Sequence, residues 1–397
     1  MIDQEGRSLA GPGRPQVLFL LTGEISSVLV RGQLGHLIEH GFEVTAASCL
    51  DTEDVPRDRA WDDGVAVEHL PFVREPSPVH DLWALWATAR LIRRLRPDVV
   101  NASTPKAGLL GMLAARVCRV PVRVYVVRGF RFETATGRKR RLFVGLEKLA
   151  MRCANHVVFN SASLMALAES EGVVAEGRGE VIGAGSGNGV DVERFAADTL
   201  PSRAEARHQL GLPSDAVVVG FVGRFSADKG IADLVGAVES LRTDRPALHL
   251  LLVGQFEVGD PVPPDVRQTI ESGEHVTVVP WLDNTAVAYG AIDVLAYPSY
   301  REGLPNVPLE AQLCAVPVVA YAATGTVDAV QDGETGVLVP TGDQQRLVAA
   351  LAGLIDHTDR RSKFASNGPA WVADNFDRRQ LWRGWTDRYR AWIGADA

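Results

Sequence analysis

What restricts this chain most is a rhythm: short, largely apolar runs, each followed by a stretch of helical period, starting at residue 17 and starting again at residue 216. Runs at 17–21, 43–47, 65–70, 98–100, 122–127 and 156–160 make the first series. Those at 216–222, 248–253, 275–279, 293–297, 318–321 and 337–339 make the second. A strand without apolar–polar alternation is covered on both faces, as happens when helices flank a parallel sheet. Parallel neighbours need crossover connections, and helical patterns at 82–95, 109–118, 231–241 and 347–355 supply them. Two α/β domains are therefore expected.

A length of 397 residues with 46% hydrophobic content is ample for two cores. The expected layout is a disordered tail at 1–14, a first domain at 15–197, a second at 198–376 and a terminal helix at 377–397. In that helix Leu381, Trp382, Trp385, Tyr389 and Trp392 recur at helical spacing, a stripe that demands burial. No apolar run reaches the roughly 18 residues of a spanning helix, and no charged-then-apolar leader opens the chain, so a cytoplasmic protein is expected. Cys49, Cys118, Cys153 and Cys314 lack metal-ligand spacing and read as buried free thiols. The nine histidines are read as holding no H-x-x-x-H pair on a helical pattern, so no metal site is expected.

The net charge of −8 is unevenly spread, with +1 over residues 1–197 and −9 over 198–397. Residues 90–152 carry 16 basic and 3 acidic side chains. Solvated surfaces usually mix signs, so a block this basic favours an anionic partner. R-K-R-R at 138–141, beside Leu142, Phe143, Leu146 and Leu149, suits an anionic membrane surface; nucleic acid is not expected.

From Tyr297 to Pro317 the chain reads Y-P-S-Y-R-E-G-L-P-N-V-P-L-E-A-Q-L-C-A-V-P, a strand end, a loop and a helix starting near Asn306. Glu302 falls in the loop and Glu310 about one turn into the helix, so both carboxylates can flank a crevice at the strand's C-terminal end, where open α/β sheets bind ligands. Backbone N–H groups from Gly303 to Val307 lie before or in the first helical turn, where intrahelical acceptors are lacking. Acids eight apart are common on solvated surfaces, but the full string E-G-L-P-N-V-P-L-E-A is not. With it the chain resembles the retaining glycosyltransferases of family 4, two-domain GT-B enzymes whose signature is E-G-x-P-x-x-x-x-E-A. The resemblance implies an α/β fold of two facing Rossmann-like domains, with the C-terminal helix crossing back to the first. It implies a nucleotide-sugar donor held mainly by the second domain and an acceptor held by the first. Glu302 with Gly303, Leu304, Pro305, Asn306 and Val307 would hold the donor sugar, and Glu310 would accept from the nucleotide ribose.

Further correspondences run through nearly the whole chain beyond residue 14. G-R-F-S-A-D-K-G, after the run at 216–222, resembles the family's G-R-x-x-x-x-K-G, which implies that Arg224 and Lys229 hold the donor diphosphate. S-S-V-L-V-R-G-Q-L resembles the loop over the active site of polysaccharide-type members, making Gly23 and Arg31 candidates beside the diphosphate or acceptor; Arg31 reads equally as a helix-surface residue. Lys106 projects from a loop at a strand's C-terminal end, a place to meet phosphate. Arg128 stands where the family often has His and cannot act as a base at pH 7. It reads as a fixed cation for phosphate or as the surface partner of Glu133. Pro280 lacks an N–H where nearby backbone normally reads the base, which leaves the nucleotide open.

The activity expected is a retaining, metal-independent hexosyltransferase without a cofactor, using a UDP-linked sugar, with Arg224, Lys229 and Glu302 as its catalytic set. No nucleophile is placed for double displacement, so front-face attack is expected; no D-x-D ends a strand, and the basic pair can replace a metal. The basic first domain suggests a lipid-linked acceptor in cell-surface glycan assembly, at the inner face of the membrane; a small natural-product acceptor is the alternative. Rivals of other classes are a sugar-nucleotide epimerase of the same fold, which lacks the E-G-L-P-N-V-P-L-E string, and an inactive scaffold, which would not need Arg224, Lys229, Glu302 and Glu310 intact.

Overall fold

A computed structural model describes residues 13–50, 61–73, 77–185, 187–196, 199–282 and 284–395. Most of the tail expected at 1–14, and the domain boundary expected at 197/198, lie outside the described residues. Strands β1 (Gln16–Gly23), β2 (Glu43–Cys49), β3 (Ala66–His69), β4 (Val99–Ser103), β5 (Val122–Val127), β6 (His156–Phe159) and β7 (Gly179–Glu180) form one sheet, in the order β3-β2-β1-β4-β5-β6-β7. Strands β8 (Val217–Val222), β9 (Leu248–Val253), β10 (Val276–Val279), β11 (Val294–Tyr297), β12 (Val318–Tyr321) and β13 (Gly336–Val339) form another, in the order β10-β9-β8-β11-β12-β13. Every pairing is parallel. Both sheets follow the doubly wound order, which reverses between β1 and β4 in the first and between β8 and β11 in the second. Ligands of such sheets sit beyond the strands' C-terminal ends at that reversal.

The chain divides into two compact units. The first takes in the described residues within 1–159, 168–180 and 382–397, and the second those within 160–167 and 181–381. In the first, helix Arg378–Ala395 contributes Trp385, Tyr389 and Trp392, all buried as their spacing demanded. Tyr389 meets Phe19 and Phe42 edge-on, and Asn101 Nδ2 donates to its hydroxyl at 2.6 Å. Each such aromatic contributes about 1.5–3 kcal/mol by leaving water.

In the second unit, Asp293 at the foot of β11 accepts from Arg207 Nη2 and from Val218 N, both at 2.8 Å, which pins helix Arg203–Leu210 to two strands. Ser202 and Glu205 close that helix's N-terminus as a capping box. Helix Thr358–Phe376, absent from the sequence expectation, runs through Pro369. Two of the four thiols expected to be buried are not: Cys153 and Cys314 are buried, but Cys49 and Cys118 are half-buried because one ends β2 and the other caps helix Pro105–Val117. Among the described residues no helix is long and apolar enough to cross a membrane.

Candidate functional site

At the reversal in the second sheet the loops after β8 and β11 meet. Gly230, at φ +68, makes the meeting possible, since a Cβ there would lie 2.1 Å from the Pro298 carbonyl oxygen. The apposition carries Lys229 over the end of β11. Its ammonium pairs with Glu302 Oε1 and lies 3.5 Å from the Tyr297 hydroxyl. The same oxygen accepts from Tyr297 OH and from Ser299 Oγ, each at 2.7 Å. Burial, then the neighbouring Glu302, hold the Tyr297 phenol well above its ordinary pKa, so it remains a donor. Glu302 N donates to Thr324 O at 3.1 Å, and Gly325 (φ +77) lets that chain pass, since a Cβ there would come within 2.6 Å of Gly303 O.

Around this knot each cation has a carboxylate. Arg224 Nη1 donates to Glu257 Oε2 at 2.6 Å, and Arg301 Nη2 to Asp228 Oδ2 at 3.0 Å. Burial would raise Asp228, but the Ser226 hydroxyl, with Lys229, Arg301 and Arg224, holds it below the usual carboxylate range. Three cations and their counter-ions thus stand preassembled where an anionic ligand would enter. The helix after the loop, Asn306–Leu313, starts behind Pro305 with no side-chain cap, as a backbone anion or hydroxyl cradle requires. One turn in, Glu310 Oε2 accepts from Tyr289 OH at 2.8 Å. Desolvation of its carboxyl raises it to about 7, against the pull of Tyr289 and Arg194. Arg224, Lys229, Glu302, Glu310 and the 303–307 segment are therefore all gathered in the second unit.

Gly23, Arg31, Lys106 and Arg128 belong to the first unit. Gly23 ends β1, and a Cβ on it would meet nothing within 4 Å. Nearby, Thr22 and Thr104 share a hydroxyl–hydroxyl bond of 2.7 Å across the ends of β1 and β4, with Thr104 held at φ +77, a costly conformation for a β-branched residue. Arg31 is exposed in the turn before helix Gln33–Glu39. Lys106, expected to meet a phosphate, pairs with Asp81 at 2.7 Å. Arg128 is not the surface partner of Glu133, whose Oε1 accepts from Phe130 N at 3.4 Å. Among the described residues its Nε is buried without a partner, and burial lowers the guanidinium to about 10, still charged at neutral pH.

One histidine expectation needs correcting. His36 and His40 do stand four apart on and just beyond helix Gln33–Glu39, and with Glu39 their ligand atoms lie within 4.8 Å of one another. Their rings stack at 3.9 Å, and His40 Nδ1 bonds to the His36 carbonyl at 2.7 Å, which turns that nitrogen toward backbone. Sequence reasoning also passed over Tyr289, Tyr297, Ser299 and Glu257. Tyr297 and Ser299 lie in the quoted motif and were legible as hydroxyls beside Glu302; Tyr289 and Glu257 carry no local signal.

Residues 216–357 match the family described as "Glycosyl transferases group 1", and residues 26–185 the one described as "Glycosyl transferase 4-like domain". Over 378 residues the chain is 30% identical to the capsular polysaccharide biosynthesis glycosyltransferase CapM of Staphylococcus aureus, covering 95% of this chain and 97% of that one. A UDP-Gal:alpha-D-GlcNAc-diphosphoundecaprenol alpha-1,3-galactosyltransferase of Escherichia coli is 26% identical over 300 residues, 74% of this chain and 76% of its own. The crystal structure of Anabaena HepE in complex with UDP-glucose superposes with a TM-score of 0.75 at 23% identity, covering 95% of this chain and 99% of that one.

Proposed function

The chain belongs to the GT-B glycosyltransferases built from a 4-like and a group 1 domain, and from that premise we propose a retaining transfer from a UDP-linked sugar. The acceptor is a lipid-diphosphate-linked saccharide in cell-surface glycan assembly, bound by the domain at 15–197 while that at 198–376 holds the donor. The observation that carries this reading is the knot of Lys229, Tyr297, Ser299 and Glu302 beside Arg224 at the reversal of the second sheet. The capsular and diphosphoundecaprenol relatives support the acceptor class, and the UDP-glucose complex of HepE supports the donor class.

Arg224 and Lys229 receive the donor diphosphate. As the glycosidic C–O bond breaks, negative charge collects on the leaving phosphate oxygen, and two cations already in place stabilise it without reorganisation. That oxygen takes the proton of the attacking acceptor hydroxyl, which arrives on the same face of the sugar, so the anomeric configuration is kept. Glu302, with one oxygen committed to three donors, offers the other to the sugar hydroxyls, and Glu310 accepts from the ribose. The basic pair takes the part a divalent ion would otherwise play.

The test is incubation with UDP-, GDP- and dTDP-sugars and a short-chain polyprenyl-diphosphate saccharide, with the product weighed by mass spectrometry and its anomeric coupling measured by NMR. Addition of one sugar with retained configuration is expected from a UDP-sugar. Inverted product, or conversion of the donor alone to its epimer, would overturn the mechanism.

A further inference from the structure

Helix Pro78–Leu95 has two unlike sides. Ala84, Thr88, Leu91 and Ile92 are buried, and helix Pro105–Val117 packs beside it. Opposite them Val79 is 78% exposed, Leu82 69%, Trp83 54% and Trp86 56%. At 100° per residue these four fall within an arc of about 100°, and Arg90 and Arg93, both exposed, continue the same arc toward the C-terminus. The Arg90 guanidinium lies 5.6 Å from the Trp86 ring centroid. Single exposed apolar residues need no explanation; a row of four with two tryptophans does.

We infer that this row docks the protein on an anionic lipid bilayer. Tryptophan favours the boundary between headgroups and acyl chains, where its ring is buried and its N–H stays wet. Val79 and Leu82 would enter beside it, while Arg90, Arg93 and Arg96 meet lipid phosphates. Charge complementarity selects this occupant, since Arg90, Arg93 and Arg96 are all exposed at the C-terminal end of this helix. Helix Gly137–Cys153 packs on the same Pro105–Val117 helix and exposes Leu142 (58%) and Leu149 (41%) alongside Arg138, Lys139 and Arg141, so it supplies a second, more basic strip. The inference deepens the reading of a lipid-linked acceptor, on which it rests for its purpose but not for its test.

The full chain is sedimented with phosphatidylglycerol vesicles and with phosphatidylcholine vesicles, at low and high salt. Wild type should bind the anionic vesicles, and Trp83→Ser/Trp86→Ser should weaken that binding at least tenfold with an unchanged melting temperature. Brominated lipids should quench wild-type tryptophan fluorescence more than that of the variant. Replacing Arg138, Lys139, Arg140 and Arg141 with Ser should weaken binding less, and mostly at low salt. Wild type that ignores anionic vesicles, or a tryptophan variant that binds as wild type does, overturns the inference. So does a self-association in sedimentation equilibrium that the tryptophan variant abolishes, which would make a second copy the occupant. Sugar transfer to a water-soluble acceptor analogue separates the two readings: its survival without vesicle binding refutes docking alone.

Discussion

Removing the Lys229 ammonium tests the centre of the site, because its effects on folding and on turnover should differ in size. In the resting protein Lys229 and Glu302 pair with side chains only 14% and 13% exposed. Breaking a buried pair outright costs about 3–5 kcal/mol. Here Glu302 Oε1 keeps the Tyr297 and Ser299 hydroxyls at 2.7 Å, so Lys229→Ala should cost only about 1–2 kcal/mol of stability. The leaving diphosphate has no such substitute. Losing one preorganised donor to charge that develops in the transition state lowers kcat by about 10²–10³, or roughly 2.7–4 kcal/mol. Initial rates of nucleoside diphosphate release at saturating donor, beside calorimetric unfolding, measure both quantities. A folded Lys229→Ala enzyme that loses less than tenfold in kcat would refute charge stabilisation by this lysine. Were the lysine there only to hold Glu302, Lys229→Ala/Glu302→Gln would be no slower than Glu302→Gln; a lysine that stabilises the leaving charge gives at least a further tenfold loss.

Glu310→Gln should weaken calorimetric binding of the free nucleoside diphosphate by about 1.5–3 kcal/mol, while Glu302→Ala should leave it nearly intact and lower turnover. Because burial raises Glu310 to about 7, wild-type affinity should fall between pH 8 and pH 6 as the acceptor is protonated, and the Gln variant should show a flat profile; equal affinities and slopes in the two proteins contradict the assignment. In the first unit, Glu147 is buried with Tyr125 OH donating to it at 2.8 Å, and burial raises it to about 7. Its folded pKa exceeds its unfolded one, so the stability it contributes is complete below about pH 4.5 and lost as pH rises through about 7, about 3 kcal/mol in all. Glu147→Gln should therefore stabilise the protein at pH 8 and be near neutral at pH 4.5; urea unfolding that shows the same change at both pH values excludes this.

Sequence carried the strands well where burial on both faces makes them largely apolar runs: Val122–Val127, Leu248–Val253 and Val318–Tyr321 were legible residue for residue. Helix Thr358–Phe376 escaped because its buried Phe364, Gly368, Val372 and Phe376 make a thin stripe with a glycine in it, and Pro369 argues locally for a break. The site's residues were legible, but their partners were not. Lys229 and Glu302 stand 73 residues apart and meet only because β8 and β11 are neighbours, an adjacency set by sheet order. Glu310 was legible through its motif, but nothing near it announces Tyr289. His36 and His40, by contrast, were plain in the string and overlooked. The open tryptophans mark a different limit, since helical period says which residues share a side but not which side faces water.

The membership of residues 382–395 in the first unit has a consequence for how the chain is made. Phe19, Phe42 and Asn101 are translated well ahead of the Tyr389 that covers them, which follows Phe159 by roughly 230 residues. At about 5–20 residues per second that gap lasts roughly 12–46 s, during which Phe19, Phe42 and Asn101 go without their Tyr389 contacts while most of the second unit is synthesised. The part translated first is completed last. A message truncated after Leu381 should accordingly damage the opposite end of the protein: proteases should cut within residues 13–159 before they cut within 216–357, and the reverse order would show that the first sheet closes without its final helix.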